Sequence, residues 1–329
     1  MVNILIFRTD KIGDLIVTIP AILTIKKYFG EIDITLVASE KNYKYADTLG
    51  IFNQIHQFPR KNIFSKIFFI HKLYKKKFDY IFIFDGKERS ILTAFFIKAK
   101  LKVALSSTIK FYYKIMRMKF FEDNENTNLN EVFQKMLFNS NISAQISNYD
   151  FLKNKKDNNF SKLIPIFHYV HIHLDEKWFN NLYIKTYTNI NPSSDQFTDF
   201  INTISKNDDI LITTGLIELD LVKELINNYF EKIDDNIYYN KRMNKSVYLI
   251  DKPTFEDIES LLRNSKTLIS CHGAITHAAN SFNVKIIDII EENKKIFYQR
   301  FTSYLNKYSK VYRKDFFSIK NSLYKKLYE

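Results

Sequence analysis

Short apolar runs alternate with amphipathic stretches along the first half of the chain. NILIF, DITLVAS and DYIFIF are compact, β-branched or aromatic, and predict strands. Between them AILTIKKYF, KIFFIHKLYKK and RSILTAFFIKA carry apolar residues at helical spacing. That order predicts a parallel sheet covered on both faces. EDNENTNLNEVFQKMLF starts polar and turns helical, and the polar, aperiodic stretch Ser147–Lys162 predicts an inter-domain linker. The pattern then restarts. YVHIHL, DILITTG, VYLID, TLISCHG and KIIDII read as strands. SSDQFTDFINTIS, LDLVKELINNYF, TFEDIESLLRNS and AITHAANSF read as helices, with Ser193 or Ser194 and Thr254 as caps.

The expected architecture is α/β: two Rossmann-like, doubly wound domains facing across a cleft. Residues 1–150 would form the first and residues 163–300 the second. The Lys- and Tyr-rich tail over 301–329 would supply closing helices. Ligands of such sheets sit at the carboxyl ends of the strands. The stretch RTDKIGDLIVTIP, Arg8–Pro20, falls at that point after the first strand.

Composition narrows the class. With 329 residues, 46% hydrophobic and 26% charged, the chain suits a soluble globular protein with real cores. One cysteine rules out an internal disulfide and fits the cytoplasm. MVNILIF meets Arg8 too early for a signal peptide, and Pro20 interrupts the longest apolar run. The net charge of +13 favours an anionic partner: nucleic acid, a membrane surface or a phosphorylated substrate. Part of the lysine excess matches AT-rich codon usage, and HKLYKKK (His71–Lys77) reads as a solvated helix face.

Gly13 and Asp14 have two readings. Gly gives a turn and Asp caps a helix, or the Asp carboxylate points into the cleft. Pro20 is comfortable only in a first helical turn, so the regular helix is expected to begin near Thr18–Ile19. Asp14 would then lie in the strand–helix connection.

The opening ILIFRTDKIGDLIVTIPAILTIKKYF resembles that of glycosyltransferase family 9, the ADP-heptose:lipopolysaccharide heptosyltransferases. That family's Arg-x-x-x-x-Gly-Asp and Pro-Ala appear here as Arg8, Gly13, Asp14, Pro20 and Ala21. DEKWFNNL (Asp175–Leu182), ILITTGLIELDLV and TFEDIESLLRNSKTLISCHGAITHAANSFNVKIIDII are similar to later family regions, in the same order. The resemblance implies a GT-B fold, an inverting transfer and Asp14 as general base. An acceptor hydroxyl must lose a proton as it attacks an anomeric carbon. It implies an acceptor side at Arg8, Asp10, Lys11 and Gly13. Asp10 on its own reads as a solvated loop residue. The implied donor side comprises Lys177, Gly215, Glu218, Cys271, His272, Gly273, Thr276 and His277. A helix start after Gly273 would offer N–H groups to a diphosphate, and Lys177 a positive charge. On residues alone, Lys177 also reads as a surface lysine and Glu218 as a first-turn helix acid.

CHGAITH departs from the family's Asp-Thr-Gly-x-x-His. Either alignment leaves Cys271 or His272 where the carboxylate belongs. Cys271 also reads as a buried strand end, and His272 and His277 as packed histidines. The expectation is that His272 reaches the donor, while Cys271 matters little. A Cys/His nucleophile or a zinc site lacks the required geometry or ligands. No Gly-x-Gly-x-x-Gly follows the first strand, and no Walker loop is present. The aromatics sit in apolar runs, which argues against nucleic acid.

The resulting expectation is a cytoplasmic enzyme, peripheral at the inner face of the membrane. It moves a sugar from a nucleotide sugar such as ADP-heptose to a lipopolysaccharide core or other lipid-linked oligosaccharide, without metal or other cofactor. Two alternatives stay open: a GT-B enzyme with another donor or acceptor, such as a capsule or glycoprotein glycan, and a silent nucleotide- or glycan-binding homologue.

Overall fold

A computed structural model describes residues 1–60, 62–106, 115–123 and 126–329. The chain divides into two compact units. The first is Met1–Phe151 with Gln299–Tyr304, and the second is Leu152–Tyr298 with Leu305–Glu329.

The first unit runs β1 (Val2–Arg8), α1 (Ile12–Phe29), β2 (Ile32–Ala38), α2 (Tyr43–Thr48), β3 (Gln54–Gln57), α3 (Ile63–Tyr74), β4 (Phe78–Ile83), α4 (Glu88–Phe95), β5 (Ala99–Ser106), β6 (Lys119–Glu122) and α5 (Leu129–Phe138). Its sheet has the order β3-β2-β1-β4-β5-β6. Pairing is parallel, with Ile4 opposite Ile34 on one side and Tyr80 on the other. β1 is buried on both faces from Ile4 to Arg8, as a central parallel strand must be.

α1 begins at Ile12, not near Thr18, and Pro20 lies inside it. Asp14 therefore sits in the first helical turn and not in a connecting loop. Its Oδ2 accepts from the backbone N–H of Lys11 at 3.2 Å, closing the helix start. Proline inside a helix costs about 3 kcal/mol. Nearly the whole stretch from Leu15 to Ile25 is buried, which outweighs that cost. Gly13 is likewise helical and not among the glycines with positive φ, so the expected tight turn is absent.

The second unit runs β7 (Tyr169–Leu174), α6 (Ser194–Ile204), β8 (Ile210–Thr214), α7 (Asp220–Tyr229), β9 (Glu231–Asp234), β10 (Ile237–Asn240), β11 (Val247–Ile250), α8 (Phe255–Leu262), β12 (Ser265–Cys271), α9 (Ala274–Ser281), β13 (Lys285–Ile290), α10 (Lys295–Thr302), β14 (Tyr308–Tyr312) and α11 (Phe316–Tyr328). The sheet order is β14-β13-β12-β7-β8-β11-β10-β9, with β10 antiparallel to both of its neighbours.

The closing segment is not purely helical. β14 adds to the sheet edge beside β13, with Ile286 opposite Tyr308. α11 then packs Phe316, Ile319, Leu323 and Leu327 into the core around Trp178, Phe197 and Phe200. The polar stretch before β7 is tied to α8. Lys155 Nζ meets Glu259 at 2.5 Å, and Arg263 Nη2 donates to the carbonyls of Leu152 and Lys155.

Candidate functional site

In the second unit, chemistry gathers where β7 and β12 end. β7 runs into Asp175, whose Oδ1 accepts from the Lys177 backbone N–H at 3.1 Å and starts a short turn. Trp178 ends that turn. Its ring is fully buried and its Nε1 donates to the His173 carbonyl at 3.0 Å, which fixes the turn to the core. Lys177 is thereby aimed back over the sheet. Its Nζ donates to Asp175 Oδ2 at 2.5 Å and lies 2.8 Å from where a Cβ on Gly273 would be. Burial alone would lower the Lys177 pKa, but the Asp175 charge and hydrogen bond outweigh it and hold it above its ordinary value. The ammonium is fixed, charged and partly open at the first turn of α9.

Gly215, at the end of β8, is needed for close approach: a Cβ there would lie 2.9 Å from the Asp175 Cβ. Gly273 is extended at φ 179°, so its requirement is room for Lys177 and not backbone freedom.

The CHGAITH segment is divided between the two faces of the sheet. Cys271 is buried on one face, 3.5 Å from Arg313 Nη1, and burial pushes its thiol pKa up. Thr276 is sealed, its Oγ1 accepting from the Gly273 N–H at 3.2 Å. His277 is buried, and burial holds its pKa well below the ordinary value. All three side chains are buried behind the end of β12. His272 is different. Its Nδ1 lies 2.7 Å from Asp288 Oδ2, and its ring packs edge-on against His277 and Tyr298. Asp288, on β13, is fully buried and also accepts from Tyr308 Oη at 3.1 Å and Thr276 Oγ1 at 3.3 Å. The carboxylate missing from the motif is thus present one strand away. It takes the Nδ1–H and leaves Nε2 as the second ring nitrogen, without a protein partner among the described residues and not sealed from solvent.

Glu218 stands apart. It is exposed and paired with Lys223 and, at 3.8 Å, with Lys252. It lines a cavity of about 410 Å³ with Asn181, Ser193, Gln196 and Asp220, at the starts of α6 and α7. Neither Lys177 nor Gly273 lines that cavity.

In the first unit, Arg8 ends β1 with its guanidinium buried. Nε donates to the Asp14 carbonyl at 2.9 Å, and Nη1 donates to the Phe84 carbonyl. Arg8 therefore braces the helix start from a buried position. Asp10 is not a solvated loop residue either. It is largely buried, paired with Lys87 and, at 3.4 Å, with Arg8. Burial raises its pKa most, with the Asp85 and Asp14 charges adding and Arg8 and Lys87 opposing. Lys11 is exposed, and the Asp14 carboxylate is 38% exposed with Arg8 Nη2 at 3.8 Å. Asp14 is the accessible carboxylate of the two.

Asp175, Asp288, Lys87 and Arg313 escape a reading of the sequence. Asp288 alone has a visible signal, a carboxylate inside the otherwise apolar run IIDII.

The sequence matches no family model and no curated protein. Solved structures do match. The E. coli heptosyltransferase WaaC with ADP has a TM-score of 0.68 at 11% identity, over 98% of this chain and 99% of that one. A glycosyltransferase family 9 protein from Veillonella parvula has 0.66 at 13%, over 98% and 89%. A UDP-GlcNAc 2-epimerase from Methanocaldococcus jannaschii follows at 0.57 and 13%, over 100% and 92%. The chain has the GT-B fold. In fold it is similar to the family 9 glycosyltransferases over nearly its whole length, as the sequence resemblance implies.

Proposed function

We propose that the chain is an inverting glycosyltransferase that takes its sugar from a nucleoside diphosphate donor. The observation that carries this reading is the Lys177 ammonium held over Gly273 at the start of α9. A fixed cation beside free helix N–H groups suits a diphosphate leaving group. The Asp14 carboxylate of the first unit removes the acceptor hydroxyl proton as that oxygen bonds to the anomeric carbon. The bond from that carbon to the diphosphate oxygen breaks, and its electron pair leaves with the nucleotide. A single displacement of this kind inverts the sugar, and these residues require no metal for it. ADP-heptose is the first donor to test, because the neighbour solved with ADP is a heptosyltransferase. The acceptor is a lipopolysaccharide core or other lipid-linked oligosaccharide, met by peripheral contact with an anionic membrane on the cytoplasmic side. Among the described residues no helix is long and apolar enough to cross a membrane.

A melting screen with ADP, ADP-heptose, UDP and UDP-N-acetylglucosamine tests the donor side. A ligand at a hundredfold over its Kd stabilises by about 2.7 kcal/mol. Transfer to a glycan extract then separates an enzyme from a silent binder. Stabilisation without turnover selects the binder, and no stabilisation by any of the four overturns the donor reading.

A further inference from the structure

α3 carries two apolar stripes, and the core uses only one. Phe69 and Leu73 face the first unit's core, with Leu73 fully buried. On the opposite side Ile63, Phe64, Ile67 and Phe68 are 68%, 67%, 55% and 72% exposed. At 100° per residue these four fall within one sector of about 140°. Large apolar side chains normally leave water, so four together on one helix face mark a contact surface. α4 packs into the same core cluster through Ile91 and Ala94 and exposes Leu92, Phe95 and Phe96. Lys98, just after α4, lies 4.4 Å from the Tyr74 ring at the end of α3.

The charge beside this face has one sign. Lys66, Lys72, Lys75 and Lys77 are exposed, and Asn62–Lys77 contains no acidic residue. A two-fold contact between copies of this chain would set these lysines against their own images, which repel. A bilayer with anionic headgroups meets both features at once, taking the aromatic and aliphatic side chains below the headgroups and the ammonium groups among them. We propose that the outer face of α3 docks the protein onto an anionic lipid surface. This deepens the peripheral placement proposed above and does not depend on the transfer chemistry.

Co-sedimentation with vesicles tests it, using phosphatidylcholine alone and phosphatidylcholine mixed with phosphatidylglycerol. The full chain is expected to bind the mixed vesicles, more weakly at high salt, and not the neutral ones. Phe64→Glu with Phe68→Glu should lower partitioning about tenfold or more. Lys72→Gln with Lys75→Gln should lower it about twenty-fivefold, at roughly fivefold per lysine. All four side chains point to solvent, so melting should stay at the parent value. Equal binding by parent and variants, or none by the parent, overturns the surface. A parent dimer that Phe68→Glu converts to monomer overturns it too, by making a second copy the occupant. No donor or acceptor is present in this assay. Failed binding removes the surface alone, and failed transfer with intact binding removes the enzyme reading alone.

Discussion

Both candidate sites stand where a parallel strand hands over to a helix, yet they are built in different ways. In the first unit Arg8, Asp10 and Asp14 lie within one connection and the turn after it. Its accessible carboxylate, Asp14, is 38% exposed. In the second unit the groups come from the ends of separate strands, Asp175 and Lys177 after β7, His272 and Gly273 after β12, Asp288 on β13. Their supporting charges are buried, Asp175 at 3% exposure and Asp288 at 0%. An exposed carboxylate can be changed without disturbing a core, whereas a buried pair ties function to stability. The first site should therefore lose activity alone, and the second should lose activity and stability together.

Asp14→Asn is the sharpest break between the two. Asparagine keeps an acceptor for the Lys11 N–H but cannot take a proton. Transfer should fall by about 10²–10⁴ while melting barely moves. A parent rate in the Asn protein reduces Asp14 to a helix cap and removes the contrast.

Acid should act on the second unit first. Burial holds His171 at about 3, with the His173 charge adding. His173 sits at about 4, again by burial, with Asp175 opposing. Burial also keeps His277 well below its ordinary value. Unfolded, these imidazoles take up protons near 6.5, so the unfolded state binds more protons below that pH. Their contribution is complete above about 6.5 and is lost as pH falls towards those folded values, up to roughly 1.4 kcal/mol per imidazole per pH unit. The raised Asp10 carboxyl of the first unit has the opposite sign. It holds its proton to higher pH than in the unfolded chain, so its penalty grows as pH rises through its folded value. Peptide-resolved hydrogen exchange between pH 7 and about 4 should show protection lost in the second unit while the first persists. Simultaneous loss in both would contradict the assignment.

Lys177→Ala should weaken nucleotide binding about ten- to a hundredfold, as expected for a charged hydrogen bond. It should also lower the melting temperature, because Asp175 is left buried without its cation. Lys177→Arg restores charge but not the point-like head that fits over Gly273, so rescue should be partial. Titration with ADP and a melting curve on each variant decide it. Unchanged affinity in the Ala protein would make Lys177 a structural partner of Asp175 only.

The smallest effects separate two glycines. Gly273→Ala meets the far end of a flexible lysine, so nucleotide affinity should drop severalfold with little change in melting. Gly215→Ala meets the Asp175 Cβ at 2.9 Å, and the crowding should cost about 1–3 kcal/mol of stability. Matching melting curves for the two would show that the strand ends give way more easily than their spacing implies.

Periodicity along the chain was enough to determined the two α/β units' central strands, because a strand buried on both faces must be an apolar run and a covering helix must repeat near 3.6 residues. That Asp14, Lys177 and Gly273 follow strands was also legible, because the pattern marks those strands; that Asp14 lies inside α1 was not. Other features depend on which strands become neighbours. Asp288 meets His272 because β13 pairs with β12, although 16 positions separate them in the chain. Tyr308–Tyr312 becomes a strand because the β13 edge offers it hydrogen bonds, not because its own pattern demands one. α1 starts at Ile12 despite Pro20 because burial of one whole helix outweighs one missing N–H. Lys177 is not a free surface lysine because the Trp178 anchor turns its segment back and its head pairs with Asp175 beside the bare Gly273. Local sequence fixes what short-range geometry can fix. Pairings between strand ends are decided only when the sheet order brings them within hydrogen-bond reach.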